Sequence, residues 1–557
     1  MTRIVRSLGA AALRHRVLVL LPLVGLLVAA AVAVVALMSP APPVAVPAEE
    51  FSAARAFEHI LAIAQEPRPI GSPGNRRARA SIVERLHLLG LEAELQTTRV
   101  RNYYGTSGGS VEVVSVMARI PGTASTKAVA LMGHYDTFPG APGANDDASA
   151  VGIMLETARA LLAGPRPRND VILLFTDGEE PAPRFGSSAF VAGHLWAAGI
   201  GFLINLEALG AGGPSLLAEA SGPQGWAVDQ YAAAVPYPAA FSFVTATAEL
   251  IGGSNSDFAT FRDRGIPGVE LAYLHGSPIY HTSADAPERV SLRSLHQQGA
   301  NTLALTRRVG NLDLGRSHDD SGSIFFTVAR LFVIRYPASW ALPIALLTGV
   351  VLAIAGWRER AWLRALQSSG AMLVTVVVAA VAAVGIWIGL TGWRSAMGIA
   401  ESYVYLAGFI LLGVGVVAAV ARLARRQIPA GPDALGVLLV WWLLGLLVAL
   451  WAPGMSYLFA WPALAGGLVL VCRSLCGTRR WPKLAGWIVV AGTTLVLLVP
   501  AVDIFYQLAQ PRHGNPDSQV LPFVAIPVLL IGMSMELLRV FRVMRSARTD
   551  HGNRCVS

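Results

Sequence analysis

The chain has 557 residues, 54% hydrophobic and only 14% charged, with a formal net charge of +9. Ordinary soluble domains are about 45–50% apolar and about 25% charged, so both a plain soluble protein and a disordered one are excluded. Three cysteines (Cys472, Cys476, Cys555) are too few for a disulfide-built scaffold.

Residues 1–16 carry Arg3, Arg6, Arg14 and Arg16 and no acid, and Val17–Met38 is then an unbroken apolar run. A cleaved signal has an apolar stretch of about 7–15 residues, whereas a spanning helix needs about 20. Residues 1–38 therefore read as a cytoplasmic N-terminus and signal-anchor helix, and the Pro/Ala-rich 39–48 as an extended linker.

Residues 49–320 read as a soluble α/β domain with a mixed central sheet and helices on both faces. Expected strands are Val111–Ile120, Ala128–Met132, Val171–Thr176, Phe202–Leu206, Ser215–Ala218, Phe241–Thr245 and Gly268–Ala272. Expected helices include Ala53–Ala64, Arg76–Leu89, Ala148–Leu162, Ser187–Ala197, Trp226–Ala234 and Leu292–Val309.

From about Tyr336 the chain turns apolar, with runs near 336–357, 367–391, 403–421, 434–452, 456–472, 484–506 and 520–538. These predict an all-α region of about seven transmembrane helices over 336–545, about eight with the anchor, and a tail over 546–557. The charge is uneven. Residues 39–335 hold 23 basic and 28 acidic side chains, and the rest hold 21 and 7. Basic clusters at Arg358/Arg360/Arg364, Arg422/Arg425/Arg426, Arg473/Arg479/Arg480/Lys483 and Arg539/Arg542/Arg545/Arg548 follow alternate runs. The positive-inside rule puts both termini in the cytoplasm and 39–335 outside. The basic surplus is thus a topology signal, and no nucleic-acid partner is expected. The lipid bilayer is. The Ala/Arg/Gly-rich composition favours a bacterial cytoplasmic membrane.

The outer domain holds eight of the eleven histidines, and two sit among carboxylates. Leu-Met-Gly-His134-Tyr-Asp136 follows a strand. Asn145-Asp146-Asp147 opens a helix. Thr176-Asp177-Gly-Glu179-Glu180 ends another strand, Ile-Asn-Leu-Glu207 a third, and Tyr280-His281-Thr-Ser-Ala-Asp285 precedes the last helix. Each has an ordinary structural reading: a turn, an N-cap by Asp146 or Asp147, a solvated strand end, a surface histidine. Their joint occurrence at element ends favours one rim of metal-binding side chains, because open α/β sheets build sites beyond the carboxyl ends of their strands. Imidazole and carboxylate suit zinc. Two metals need a bridging group, which a carboxylate with two oxygens can supply, and a further carboxylate is then left to act as base.

This pattern over about residues 50–310 resembles metallopeptidase family 28, the co-catalytic dizinc exopeptidases. The layout is most similar to its membrane-embedded branch, the endoplasmic reticulum metallopeptidase and vacuolar membrane protease type. The resemblance implies two zinc ions per chain. It places His134 and Glu207 on one zinc, Glu180 and His281 on the other, Asp146 as the bridge and Glu179 as the general base. Asp136 would accept from His134 and fix its tautomer, and Asp285 would support His281 similarly. Gly253–Ala272, with Asp257, would line the substrate side, joined by Tyr280 and by Arg184 from the loop after Glu180. That loop, Glu180-Pro-Ala-Pro-Arg-Phe-Gly186, departs from the family by one extra residue and two prolines. The implied function is a membrane-anchored, zinc-dependent exopeptidase acting on extracytoplasmic peptides, with an aminopeptidase favoured. Alternatives are a carboxypeptidase, an amide hydrolase or cyclase of the same fold, or a silent ectodomain that binds a partner. Oligomeric state is not encoded.

Overall fold

The computed structural model describes residues 24–508 and Gln510, apart from 102–108, 181–183, 251, 317, 319–321, 361, 398–433 (five isolated helical positions excepted), 476–479 and 509. Leu37–Ala338 forms one compact unit, and the apolar helix before it belongs with the helical region from Ser339 onward in another.

In the first unit, β3 (Ala128–His134) and β4 (Val171–Thr176) are apolar and buried along their whole length. Strands covered on both faces read as continuous apolar runs, and alternate side chains here enter two different cores. Val129, Leu131, Val171, Leu173 and Phe175 pack with the helices Ala53–Ile63, Ala148–Ala163 and Leu292–Gly310. Ala130, Met132, Ile172 and Leu174 pack against Phe190, Phe258 and Phe261 from Phe185–Gly193 and Phe258–Arg262. The fold is therefore a mixed central sheet with helices on both faces, as expected.

Seven strands lie in the order β1-β2-β4-β3-β5-β7-β6. The four central ones, β4, β3, β5 (Ile200–Ala208) and β7 (Gly268–Tyr273), are parallel. β1 (Ala93–Arg101), β2 (Ser110–Ile120) and β6 (Leu216–Ser221) flank them antiparallel. Parallel direction brings the ends of β3, β4 and β5 to one rim. Side-chain oxygens of Ser52, Ser72, Asp147 and Ser291 cap their helices, each accepting from a backbone N–H in the first turn.

Three differences from the sequence reading have physical causes. Phe241–Thr245, expected as a strand, begins the helix Ser242–Leu250. A five-residue apolar run has no distinguishing period, and Ala246-Thr-Ala-Glu-Leu250 extends it at helical length. β1 went unseen because it is an edge strand with mostly polar, partly exposed side chains. β8 (Ser323–Val328) and β9 (Phe332–Pro337) pair as a separate ribbon beyond residue 320. They are short, and the apolar pattern of β9 merges with the run that follows.

Among the described residues, five helices are long and apolar enough to cross a membrane: Ala338–Glu359, Trp362–Ala382, Ala434–Trp451, Tyr457–Leu475 and Ala485–Leu508. Of the run expected as an anchor, the described part is the shorter apolar helix Val24–Ala36. The runs expected at 403–421 (isolated positions apart) and 520–538 lie outside the described residues.

Candidate metal centre

The sheet register sets the first ligands. His134 is the last residue of β3, opposite Thr176 at the end of β4, and Glu207 lies near the end of β5. Close packing against β3 needs Gly133, since a Cβ there would lie 2.4 Å from the Cβ of Ala150. The Ala148–Ala163 helix can thus bring its first turn to the rim. Asp147, not Asp146, caps that helix through Oδ1 to the N–H of Ala150 at 3.2 Å. Asp146 is thereby free for the rim.

Asp146 lies between two imidazoles. Its Oδ1 is 3.2 Å from His134 Nε2, and its Oδ2 is 3.3 Å from His281 Nε2. His134 Nε2 also faces Glu207 Oε2 at 4.0 Å, and His281 Nε2 faces Glu180 Oε1 at 2.5 Å. The five expected ligands therefore converge, one carboxylate oxygen of Asp146 serving each half. Asp147 joins the His134–Glu207 half, and its Oδ2 has no hydrogen-bond partner among the described residues.

His281 comes from the long loop between β7 and the Leu292–Gly310 helix, with φ +61°. A left-handed histidine costs about 1–3 kcal/mol unless its surroundings hold it. Here the ring is stacked against Phe138 at 4.5 Å and Tyr280 at 3.7 Å.

The supporting residues divide. Asp136 lies behind the rim: Oδ1 is 3.5 Å from His134 Nδ1, while the carboxylate accepts from the N–H groups of Glu179 at 3.3 Å and Glu180 at 3.0 Å. It thus ties the His134 turn to the acidic pair. Asp285 does not support His281. Its Oδ1 accepts from Asn145 N and Nδ2 at 2.9 and 2.8 Å, and its Oδ2 from Asp146 N at 3.0 Å, so it holds the bridging loop. Asp257 is engaged within the protein. It is buried and accepts from Thr176 Oγ1 and Ser187 Oγ, both at 2.5 Å, tying the end of β4 to the next helix. Arg184 is half-buried at the start of the Phe185–Gly193 helix with φ +52°, and 181–183 before it lie outside the described residues. Two trios of buried side chains lie close enough to share an ion, His134–Asp146–Glu180 and His134–Asp147–Glu207, and buried Glu179 belongs to neither.

Two contributors were missed in the sequence. Arg68 is fully buried and donates to the carbonyls of Tyr135 (2.9 Å), Ile63 (3.2 Å), Gly143 (3.0 Å) and Pro142, cross-tying the loop between His134 and Asp146. Burial lowers its pKa to about 10, against the pull of Asp285, Asp136, Asp146 and Asp147. Its place between two prolines was the available signal. Asn205, two residues before Glu207 on β5, donates to Glu207 Oε1 at 3.3 Å and Glu270 Oε2 at 3.1 Å. It was hidden in an apolar strand.

The electrostatics call for a cation. Burial, then repulsion from Glu180, pushes Glu179 well above the usual carboxylate range. Burial, then Asp147, does the same to Glu207. Glu180 rises to about 7 through burial and Asp146, although His281 opposes it. Burial works against charge on both rings, yet bonding to Asp136 and Asp146 holds His134 well above its ordinary value. Asp146 and Glu180 hold His281 at about 9. Buried like charge on this scale requires a partner, and a divalent ion supplies it. Two of the four donor separations, 3.2 and 3.3 Å, match the edge of a zinc tetrahedron, about 3.3 Å for bonds of about 2.0–2.1 Å, and the others, 2.5 and 4.0 Å, lie on either side of it. The donor set fits zinc.

Residues 115–306 match the profile of Peptidase family M28. The chain carries a peptidase family M28 domain. It is 31% identical over 313 residues to Endoplasmic reticulum metallopeptidase 1 of Mus musculus, covering 52% of this chain and 34% of that protein. It is 30% identical over 271 residues to Vacuolar membrane protease of Candida dubliniensis, covering 47% and 29%. The chain thus spans about a third of the length of the curated relatives it matches. Among solved structures, an aminopeptidase from Aneurinibacillus sp. strain AM-1 aligns with TM-score 0.39 and 15% identity, covering 47% of this chain and 95% of that one. Fimbriiglobus ruber glutaminyl cyclase aligns with TM-score 0.39 and 18% identity, covering 48% and 99%.

Proposed function

We propose that this chain is a membrane-anchored, zinc-dependent exopeptidase that hydrolyses peptides outside the cytoplasmic membrane, acting as an aminopeptidase. The observation that carries the reading is Asp146, which presents one carboxylate oxygen to His134 and the other to His281. That arrangement suits two ions, one held by His134, Asp146 and Glu207 and one by Asp146, Glu180 and His281. Bound there, zinc supplies a Lewis acid and lowers the pKa of water towards about 7.

The chain's own residues perform the proton transfers. Glu179, a buried carboxyl outside both ligand trios, takes a proton from the attacking water. It returns that proton to the leaving amine as the C–N bond breaks, and the products are a carboxylic acid and a free amine. Asp136 fixes the turn that aims Glu179, through its contacts with the N–H groups of Glu179 and Glu180. Asp285 and Arg68 hold the loops that carry Asp146 and His134.

The membrane reading rests on the five described apolar helices and on basic clusters after alternate apolar runs. With the anchor and the two runs outside the described residues, about eight spans leave both termini in the cytoplasm. The compartment is the outer face of a bacterial membrane. Lipid and peptide are the partners.

The test uses the zinc-loaded full chain in detergent. Peptides free or blocked at either end are incubated with it and with a Glu179→Ala control, and products are read by mass spectrometry. Chelator-sensitive loss of single N-terminal residues, blocked by acetylation, is expected. Loss from the C-terminus would identify a carboxypeptidase, and ring closure of an N-terminal glutamine a cyclase. No turnover with zinc bound would leave a binding ectodomain.

A further inference from the structure

The ribbon of β8 and β9 has two unlike strands. On β8, Ile324, Phe325 and Phe326 are buried. Thr327 Oγ1 accepts from the N–H of Ala240 at 2.9 Å and donates to its carbonyl at 3.2 Å, so the ribbon is fastened to the Leu37–Ala338 unit. The turn and β9 face outward. Leu331 is 75% exposed, Phe332 53% and Ile334 36%, and Trp340 just beyond is 57% exposed. Phe332 and Ile334, two residues apart, share one face of the strand. Soluble surfaces rarely gather apolar side chains this closely without a cover.

The chain itself indicates the cover. β9 ends at Pro337, and the apolar helix Ala338–Glu359 begins at the next residue. At the other end of the ribbon, Arg330 Nη1 donates to the carbonyl of Met38 at 2.5 Å. Met38 lies two residues beyond the apolar helix Val24–Ala36. The turn is thus tied to the exit of the first apolar helix, and β9 runs into the entrance of the second. Along the chain, the exposed stretch is thus flanked at both ends by apolar helices of the kind that enter a bilayer. The residue types agree: tryptophan favours the membrane–water boundary, and arginine beside apolar side chains extends its head group towards phosphate. Arg330 sits in the turn. Arg335 on β9 is paired with Asp229 at 2.7 Å, whereas Arg330, whose guanidinium also lies over the Tyr237 ring at 5.8 Å, has no carboxylate partner among the described residues.

We propose that the β8–β9 ribbon docks on the lipid bilayer, seating Leu331, Phe332, Ile334 and Trp340 at the boundary between head groups and acyl chains with Arg330 at phosphate level. The inference rests on the reading that the apolar helices span a bilayer and is independent of the metal chemistry.

The test places single nitroxide labels on the full chain with its three cysteines replaced by serine, in vesicles of phosphatidylcholine and phosphatidylglycerol. Labels go at Leu331→Cys, at Phe332→Cys, at Leu195→Cys as a water-facing site (93% exposed) and at Val350→Cys within the Ala338–Glu359 helix. Collision rates with oxygen, which prefers lipid, and with a nickel chelate, which prefers water, are compared. The expected oxygen-to-nickel ratio at 331 and 332 is severalfold that at 195 and closer to that at 350. A ratio at 331 and 332 equal to that at 195 would overturn the docking while leaving the spanning helices intact. Labels at 331 and 332 shielded from both reagents would also overturn it, since protein would then be the cover. A water-like label at 350 would overturn the docking together with the membrane reading.

Discussion

The two halves of the metal rim are built differently. His134 and Glu207 stand on neighbouring parallel strands, so sheet hydrogen bonds set their positions. Glu180 and His281 come from loops, and stacking on Phe138 and Tyr280 holds the histidine in a left-handed backbone. Asp146 is the shared member. The strand half is preorganised by the fold, while the loop half depends on a few side-chain contacts. Metal affinity should therefore be easier to weaken on the His281 side without unfolding the domain.

The largest effect should come from the shared ligand. Asp146→Ala is expected to remove metal from both halves and lower activity to background, and elemental analysis of the purified variant checks this. Two zinc ions per chain in that variant would contradict the bridge. Glu179→Ala should leave both halves loaded while kcat falls by about 10²–10⁴-fold, the range for a lost general acid–base. Retention of near-normal kcat would remove Glu179 from its role.

Acidification should weaken the loop half as well. Zinc needs neutral imidazole, and Asp146 and Glu180 hold the His281 pKa at about 9. Zinc binding must therefore expel a proton, and affinity should fall about tenfold per pH unit below 9 for each proton displaced. Calorimetry in buffers of different ionisation enthalpy counts those protons. A pH-independent affinity would show that the ring is neutral before zinc arrives.

Smaller effects separate the supports. Phe138→Ala should weaken zinc in the His281 half by about 10–100-fold, the range for lost outer contacts, and leave the His134 half unchanged. Stepwise chelator competition resolves the two. Asp285→Asn replaces an acceptor of three N–H groups and should destabilise the domain by about 1–3 kcal/mol. Denaturant unfolding would show it. Equal loss of zinc from both halves is expected there, because Asp285 holds Asp146.

Three of the ligand motifs stood out in the sequence because His134 and Glu207 end strongly apolar strands and Asp146 precedes a helix, whereas Glu180 and His281 lie in loops and took their expected roles from the family resemblance. The supports were less legible. Asp285 lies near His281 in sequence, yet the fold brings Asn145 and Asp146 to its carboxylate from about 140 residues away. The family resemblance put Asp257 on the substrate side, and in the fold its partners are Thr176 and Ser187. Arg68 had no motif, since its acceptors are backbone carbonyls that any residue offers.

Local patterning alone therefore determined the described apolar helices, the central strands and the chain order of the His- and carboxylate-bearing motifs, while the ligand roles came from the family resemblance. Hydropathy and residue chemistry are properties of short segments, so they can be read without coordinates. Tertiary structure alone decided that Asp147 caps the helix and releases Asp146, and that one carboxylate faces two histidines. It also decided that Asp285 and Arg68 brace the rim and that Phe241–Thr245 turns into a helix. Those outcomes depend on contacts between distant segments, and a pattern confined to one segment carries no record of them.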